Sequence, residues 1–388
     1  MSKDTPALHA VAGEGSNFRF YDNRQKYLMF VNTCSEKAVI AERLARELDA
    51  LDPQPPALRF FDAGVGDGTV LARFLRMMHR KFERLPFYIG AKEISLEDIR
   101  LTLDKMPDRF FEHPETVLAV TNLPYADAPW MARHKPGAAD DVVWHEVALT
   151  GSTAAEFERQ ILDLHDFMAE HWRTKVSEKS GVLLPETPTV VVIYRHDCRF
   201  ILDRVIPRKG EGRADYDLVL ASQPYRLRAE TKFKAGRVIA PMARALRPGG
   251  RVLGIHSAGG DPGLEIVQHV WPEENPFTGS RRELLEATRE ALGPEARNFT
   301  FDPLPDKQAL FRYHMHTLPD EIDAEEAMIG TSTLLAAWNA ATYVAQIEDE
   351  RLAQAMTTSA YLDGTRAALK KHGGLWFCDE SYLITRTA

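Results

Sequence analysis

Two hydrophobic periods alternate along this chain. Leu58 to Phe61 is an apolar run that ends at Asp62, and Val70, Leu71, Phe74, Leu75, Met78 and Phe82 then recur at helical spacing. The same alternation follows in Phe87 to Ala91 and then Leu96, Ile99, Leu103 and Met106, where Ser95 and Asp98 make a capping-box-like helix start. Further strands are predicted at Thr116–Thr121, Tyr216–Ala221 and Arg251–His256, and a helix over Ala229–Leu246. Thr153–Val176 reads as helical, with Phe157, Ile161, Leu164 and Met168 inward. Val190–Tyr194 and Phe200–Ile206 read as a β-hairpin around His196, Asp197 and Cys198. Later, Ser280 and Glu283 open a helix that Gly293 closes. Asn298–His316 should hold a sixth strand whose limits Pro303 and Pro305 leave open; Pro319–Lys371 is helical by pattern, and a last strand follows Leu375.

Strands alternating with helices predict an α/β fold with a doubly wound, mostly parallel sheet. In such a sheet ligands sit at the carboxyl ends of the central strands, so the residues just after each strand carry the chemistry. After the first strand, Gly64, Gly66 and Gly68 stand at alternate positions. Glycines there let the chain turn sharply and bring backbone N–H groups to a ligand at a helix N-terminus. Glu93 closes the second strand, 29 residues after Gly64, where a carboxylate can accept both hydroxyls of a ribose.

Asp62-x-Gly64-x-Gly66-x-Gly68, with Glu93-Ile94-Ser95 after the next strand, resembles the class I S-adenosylmethionine-dependent methyltransferases. Dinucleotide-binding chains usually place the third glycine one residue later. Leu246 to Leu253 (Leu-Arg-Pro-Gly-Gly-Arg-Val-Leu) is similar to the helix end, turn and fifth strand of that family. The resemblance covers Leu58 to Val252 in pieces, plus the final strand. It implies a Rossmann-like seven-stranded sheet with an antiparallel edge pair, and S-adenosyl-L-methionine as cofactor. Asp62, Gly64, Gly66, Gly68 and Glu93 would hold that cofactor. Asn122, or Asp127 just behind it, would meet the adenine ring; an Asn-Pro turn with no ligand is the alternative.

Ser222-Gln223-Pro224-Tyr225 ends the fourth strand and is similar to the Asp/Asn/Ser-Pro-Pro-aromatic motif of amino-group methyltransferases, departing from it at Gln223. On that likeness Ser222 and a backbone carbonyl accept hydrogen bonds from the target amine while Tyr225 stacks on a planar substrate. His256 is a candidate general base, with Asp197 and His196 as further candidates. By analogy with the family, Tyr21 and Tyr27 in the N-terminal segment help to close the site. The expected organisation is therefore an N-terminal helical segment (1–57) and a catalytic domain (58–388), with insertions at about 126–215 and 317–373 forming a substrate cap.

Composition narrows the partners. The 388 residues are 44% hydrophobic and 27% charged, an ordinary globular balance, and the formal net charge of −8 disfavours nucleic acid despite basic stretches at 73–84, 199–213 and 226–237. No run approaches the roughly 18 apolar residues of a membrane span, and nothing near Met1 resembles a signal peptide, so a cytoplasmic location is expected. Cys34, Cys198 and Cys378 are isolated and predict neither disulfides nor a metal site. The function expected is methyl transfer to a small molecule, nitrogen favoured over oxygen. The alternatives are methylation of nucleic-acid amino groups, non-catalytic binding of S-adenosylmethionine, and aminopropyl transfer.

Overall fold

The structure is a computed structural model that describes residues 24–134, 141–178, 182–317, 322 and 329–387. Tyr21 lies outside the described residues. Twelve strands are present among them: β1 (Leu58–Asp62), β2 (Phe87–Lys92), β3 (Thr116–Thr121), β4 (Val143–Leu149), β5 (Thr174–Val176), β6 (Leu183–Pro185), β7 (Thr189–Arg195), β8 (Tyr216–Ser222), β9 (Leu246–Ser257), β10 (Phe299–Asp302), β11 (Leu310–His314) and β12 (Trp376–Arg386). All but β5 and β6, which form a small hairpin, belong to one sheet ordered β10-β12-β9-β8-β1-β2-β3-β7-β4, with β11 also on β12.

The five strands β3, β2, β1, β8 and β9 are parallel neighbours, and β12 runs antiparallel to β9. This is the doubly wound order expected of the class I methyltransferase type. β1 and β8 are buried almost throughout because helices cover both sheet faces. Successive residues serve opposite layers: Phe60 packs with Phe74 and Ile89 on one side, and Phe61 with Tyr216 and Val219 on the other. The direction of winding reverses between β1 and β8, opening a crevice at their carboxyl ends.

The sixth strand is split. β10 pairs with Leu383–Arg386 and β11 with Trp376–Glu380, so both lie along one edge of β12. Pro303 and Pro305 lie between them and cannot donate to a ladder, which is why the strand breaks there.

The first insertion departs from expectation. Val190–Tyr194 is not half of a β-hairpin: it lies within β7, antiparallel to β3 and parallel to β4. Arg199–Leu202 is a short helix that leaves Phe200 93% exposed. The Thr-Val-Val-Val-Ile-Tyr run of β7 is β-branched and buried on both faces, and it covers an edge of β3 that would otherwise present unpaired N–H and C=O groups. The helical stretch expected over Thr153–Val176 is two helices, Ala154–Leu162 and His165–His171, followed by β5. Likewise Leu246 already belongs to β9, which carries a register irregularity opposite Tyr216 and Leu218.

Helices α1 (Arg24–Thr33) and α2 (Glu36–Ala45) cross the carboxyl end of the sheet, and α3 (Thr69–Lys81) and α4 (Leu96–Asp104) follow β1 and β2. The helix Thr331–Val344, from the second insertion, packs with α1 through Tyr27, Phe30, Trp338 and Tyr343. The ring centroids of Phe30 and Tyr343 are 4.9 Å apart.

Candidate active site

A cavity of about 260 Å³ opens at the crevice between β1 and β8. Its walls are the glycine loop (Gly64, Gly66), the end of β2 and the start of α4 (Lys92, Glu93, Ile94, Asp98), Tyr125, and the β8 tip from Ser222 to Arg226 with Ser257. Tyr27, Phe30, Glu36, Lys37 and Ile40 close it from the N-terminal helices, and Tyr343 and Val344 from the second insertion. Among the described residues, none from 126–215 lines it. The expected cap from that insertion is therefore replaced by the N-terminal helices and the Thr331–Val344 helix.

Glu93 organises this end of the molecule. One carboxylate oxygen accepts the Ile94 and Ser95 amides at 2.7 and 2.8 Å, and the other accepts the Gly66 amide at 3.0 Å. A carboxylate offers about four lone-pair positions, so three amides leave one for a ligand hydroxyl. Gly66 holds φ +55°, and a Cβ there would stand 3.5 Å from the Tyr27 hydroxyl, on the wall of the cavity. Asp62 sits beneath the loop, not on the cavity wall, and accepts the Gly64 amide at 3.1 Å. Burial pushes its carboxyl up to about 7, against the opposing effect of the Gly64 amide and Lys37.

Several expected cofactor residues serve the scaffold instead. Gly68 does not face the cavity; it caps α3 at φ +76°, where a Cβ would meet Thr102 of α4 at 2.8 Å. Asn122 is 1% exposed with its amide spent. Its nitrogen donates to the His171 and Thr187 carbonyls at 3.3 and 3.0 Å, and its oxygen accepts the Thr189 amide at 2.8 Å. It fastens the insertion to β3 and has no donor left for an adenine ring. Asp127 accepts from the His134 backbone and ring, both at 3.2 Å, and is likewise off the cavity.

At the β8 tip, Gln223 adopts φ +48°, unusual for a non-glycine residue and the kind of strain found at functional sites. Its side-chain nitrogen donates to Ser257 Oγ at 3.0 Å. The Pro224 carbonyl accepts the Tyr125 hydroxyl at 2.6 Å. Ser222 lines the cavity, and its Oγ makes no hydrogen bond with a described residue.

Tyr225 presents its ring to the cavity and turns its hydroxyl inward, 3.3 Å from His256 Nδ1. His256 Nε2 lies 2.8 Å from Glu380, so that nitrogen carries the proton and Nδ1 accepts from Tyr225. Arg281 supports Glu380 through its amide and its guanidinium, both at 2.7 Å. Burial pushes the Glu380 carboxyl up, but His256 and Arg281 outweigh it and hold it at about 2. His256 is therefore not a general base on the cavity: both nitrogens are committed, and it positions Tyr225 from behind. His196 and Asp197 lie elsewhere, after β7, with Asp197 paired to Arg195.

Sequence reasoning passed over Glu36, Lys37, Lys92, Asp98, Tyr125 and Glu380. Lys37 sits among acids: burial lowers its pKa, but Tyr27, Glu36, Asp67 and Asp98 together raise it above the ordinary lysine value. Lys92 was detectable, since a lysine directly after the apolar Phe-Tyr-Ile-Gly-Ala run, still within the buried strand, is anomalous. Among the described residues no cluster of three or more His, Cys, Asp or Glu side chains is placed to hold a metal, and no helix is long and apolar enough to cross a membrane.

No family model and no curated protein matches the chain. Among solved structures it is similar to a geranyl diphosphate methyltransferase in complex with GPP and sinefungin, at 14% identity over 90% of this chain and 78% of that one, TM-score 0.33. The [4+2]-cyclase SpnF aligns at 12% identity over 96% and 88%, TM-score 0.34. Phosphoethanolamine N-methyltransferase 2 of Haemonchus contortus aligns at 10% over 97% and 61%, TM-score 0.33. At these values the assignment rests on the chain's own strand order and site geometry.

Two outcomes follow from the loop. Glu93→Gln replaces an acceptor of three amides by a group whose nitrogen would oppose a donor, so both melting temperature and S-adenosylhomocysteine affinity should fall, the latter about tenfold, of the order of one charge-assisted hydrogen bond. Wild-type calorimetric affinity would refute this. Asp62, with its pKa raised in the fold, contributes stability that is complete below pH 4 and lost as pH rises through about 7. Asp62→Asn can keep the Gly64 bond without that loss. Its melting temperature, relative to wild type, should therefore rise by several degrees between pH 5 and pH 8, and a pH-independent difference would contradict the account.

Proposed function

We propose that this chain transfers a methyl group from S-adenosylmethionine to a small-molecule acceptor. The observation that carries the reading is the meeting of two strand ends in one cavity. Glu93 and the glycine loop it clamps face Ser222 and Tyr225 across about 260 Å³. The donor supplies a methyl group activated on a sulfonium; the chain supplies position. Holding an acceptor about 3 to 3.5 Å from the reacting carbon accounts for much of the rate in such displacements.

The residues fit the cofactor. Glu93 keeps one lone pair for a ribose hydroxyl, and Gly66 lines the cavity at φ +55°, a left-handed conformation that favours glycine. Among the described residues Ser222 Oγ and the Gln223 carbonyl have no donor, whereas Tyr125 takes the Pro224 carbonyl. Two acceptors suit an N–H-bearing group, which favours nitrogen as the methylated atom. The Tyr225 ring, fixed by His256 and Glu380, gives that group a flat wall. His256, held behind Tyr225 by Glu380, does not reach this wall as a base. A walled cavity of this size suits a small molecule better than a duplex or a folded RNA.

A screen of amines, amino acids and nucleosides for uptake of labelled methyl tests the reading. With an accepted substrate, Tyr225→Ala should lower kcat/KM about 100-fold and Ser222→Ala about 10- to 100-fold, in keeping with lost positioning, while S-adenosylhomocysteine affinity stays within about threefold. Tyr225→Phe, which keeps the ring, should retain most activity. Full turnover in both alanine variants would place the acceptor elsewhere.

A further inference from the structure

Two cations at the cavity have no hydrogen-bond or ion-pair partner among the described residues. Lys92 is only 6% exposed, yet it makes no hydrogen bond or ion pair with any described residue; its ammonium lies 4.5 Å from the centre of the Tyr125 ring. Arg226 lines the same cavity, and its guanidinium is likewise unpaired among the described residues. Tyr125 links them: its ring lies under Lys92, and its hydroxyl is bonded to Pro224, two residues before Arg226.

Withdrawing an unpaired ammonium from water is costly, and cation–π contact with one tyrosine returns only part of that cost. The acids on the same wall do not supply the missing partner. Glu93 is committed to three amides, Glu36 lies 3.6 Å from Lys37 and 3.4 Å from the Gln223 amide, and Asp98 acts on Lys37. Burial depresses the Lys92 pKa, with Glu93 only partly offsetting it, as expected of a cation awaiting a counter-charge.

We propose that the acceptor molecule carries an anionic group, a carboxylate or a phosphate, that binds between Lys92 and Arg226 while its reactive atom faces Ser222. The proposal rests on the methyl-transfer reading for the identity of the site, and it names the class of substrate: small, with an anionic end. An anion there would form charge-assisted bonds with both cations and give the buried Lys92 ammonium the acceptor that no described residue supplies.

The test uses the full chain saturated with S-adenosylhomocysteine and titrated calorimetrically with inorganic phosphate, with acetate, and with acetamide as an uncharged control. One of the two anions should bind and acetamide should not; which one binds distinguishes phosphate from carboxylate. Lys92→Met and Arg226→Met should each weaken that binding at least tenfold and leave S-adenosylhomocysteine affinity within about threefold. Lys92→Met should also raise the melting temperature of the ligand-free protein, because an apolar side chain of similar length removes an unpaired buried charge. Absence of anion binding, or anion binding that both variants retain, would overturn the proposal and leave the methyl-transfer reading standing. Variants that lose S-adenosylhomocysteine instead would assign the two cations to the cofactor and overturn it as well. Failure of the wild-type chain to bind S-adenosylhomocysteine would bring down the methyl-transfer reading itself.

Discussion

The carboxylate of Glu93 holds the functional end of this protein together. It accepts the amide of Gly66 from the loop after β1 and the amides of Ile94 and Ser95 at the start of α4, so a single side chain sets the spacing between two βα units. Amides in those places would otherwise point into a partly dry crevice with nothing to bond. Because the carboxylate is fixed before any ligand arrives, its remaining lone pair is already aimed, and binding costs little reorganisation. The β8 tip is built to the same plan from the other side: Gln223 in a left-handed conformation, Tyr125 bonded to Pro224, and Tyr225 backed by His256, Glu380 and Arg281.

These two halves explain why the rest of the chain is arranged as it is. The parallel strands between them are buried on both faces and cannot shift without exposing apolar surface. The N-terminal helices and the Thr331–Val344 helix share an aromatic cluster around Phe30, Tyr343 and Phe377, and that cluster lays Tyr27 and Lys37 over the crevice. The first insertion has a different purpose. By adding β7 and β4 beyond β3 it protects the edge of the sheet, and Asn122 spends its whole amide fastening it there.

How much of this could be read from residue order depends on the range of the interaction. The loop after β1, the acid after β2 and the motif after β8 were legible because each is a local event: an apolar run meets glycine, a carboxylate or proline within a few residues. The fate of Val190–Tyr194 was not, since a β-branched run pairs equally well in a hairpin or on a distant edge, and only the free edge of β3 decides. Asn122 was misread for the same reason; its partners are 49 and 65 positions away. The His256 base was misplaced because chain position says which strand end a residue occupies but not whether its ring faces the cavity or the back of Tyr225. Glu380 and Arg281 lie more than a hundred positions from the glycine loop; only in the folded sheet does Glu380 meet His256, with Arg281 bonded to Glu380.

The central claim is that the crevice between β1 and β8 is a site for S-adenosylmethionine. Isothermal titration of the wild-type chain with S-adenosylhomocysteine and with NAD, at matched salt and pH, tests it most directly. The account predicts saturable binding of S-adenosylhomocysteine at one site and none of NAD. Binding of NAD alone would contradict it, because the loop that Glu93 holds would then be a dinucleotide site.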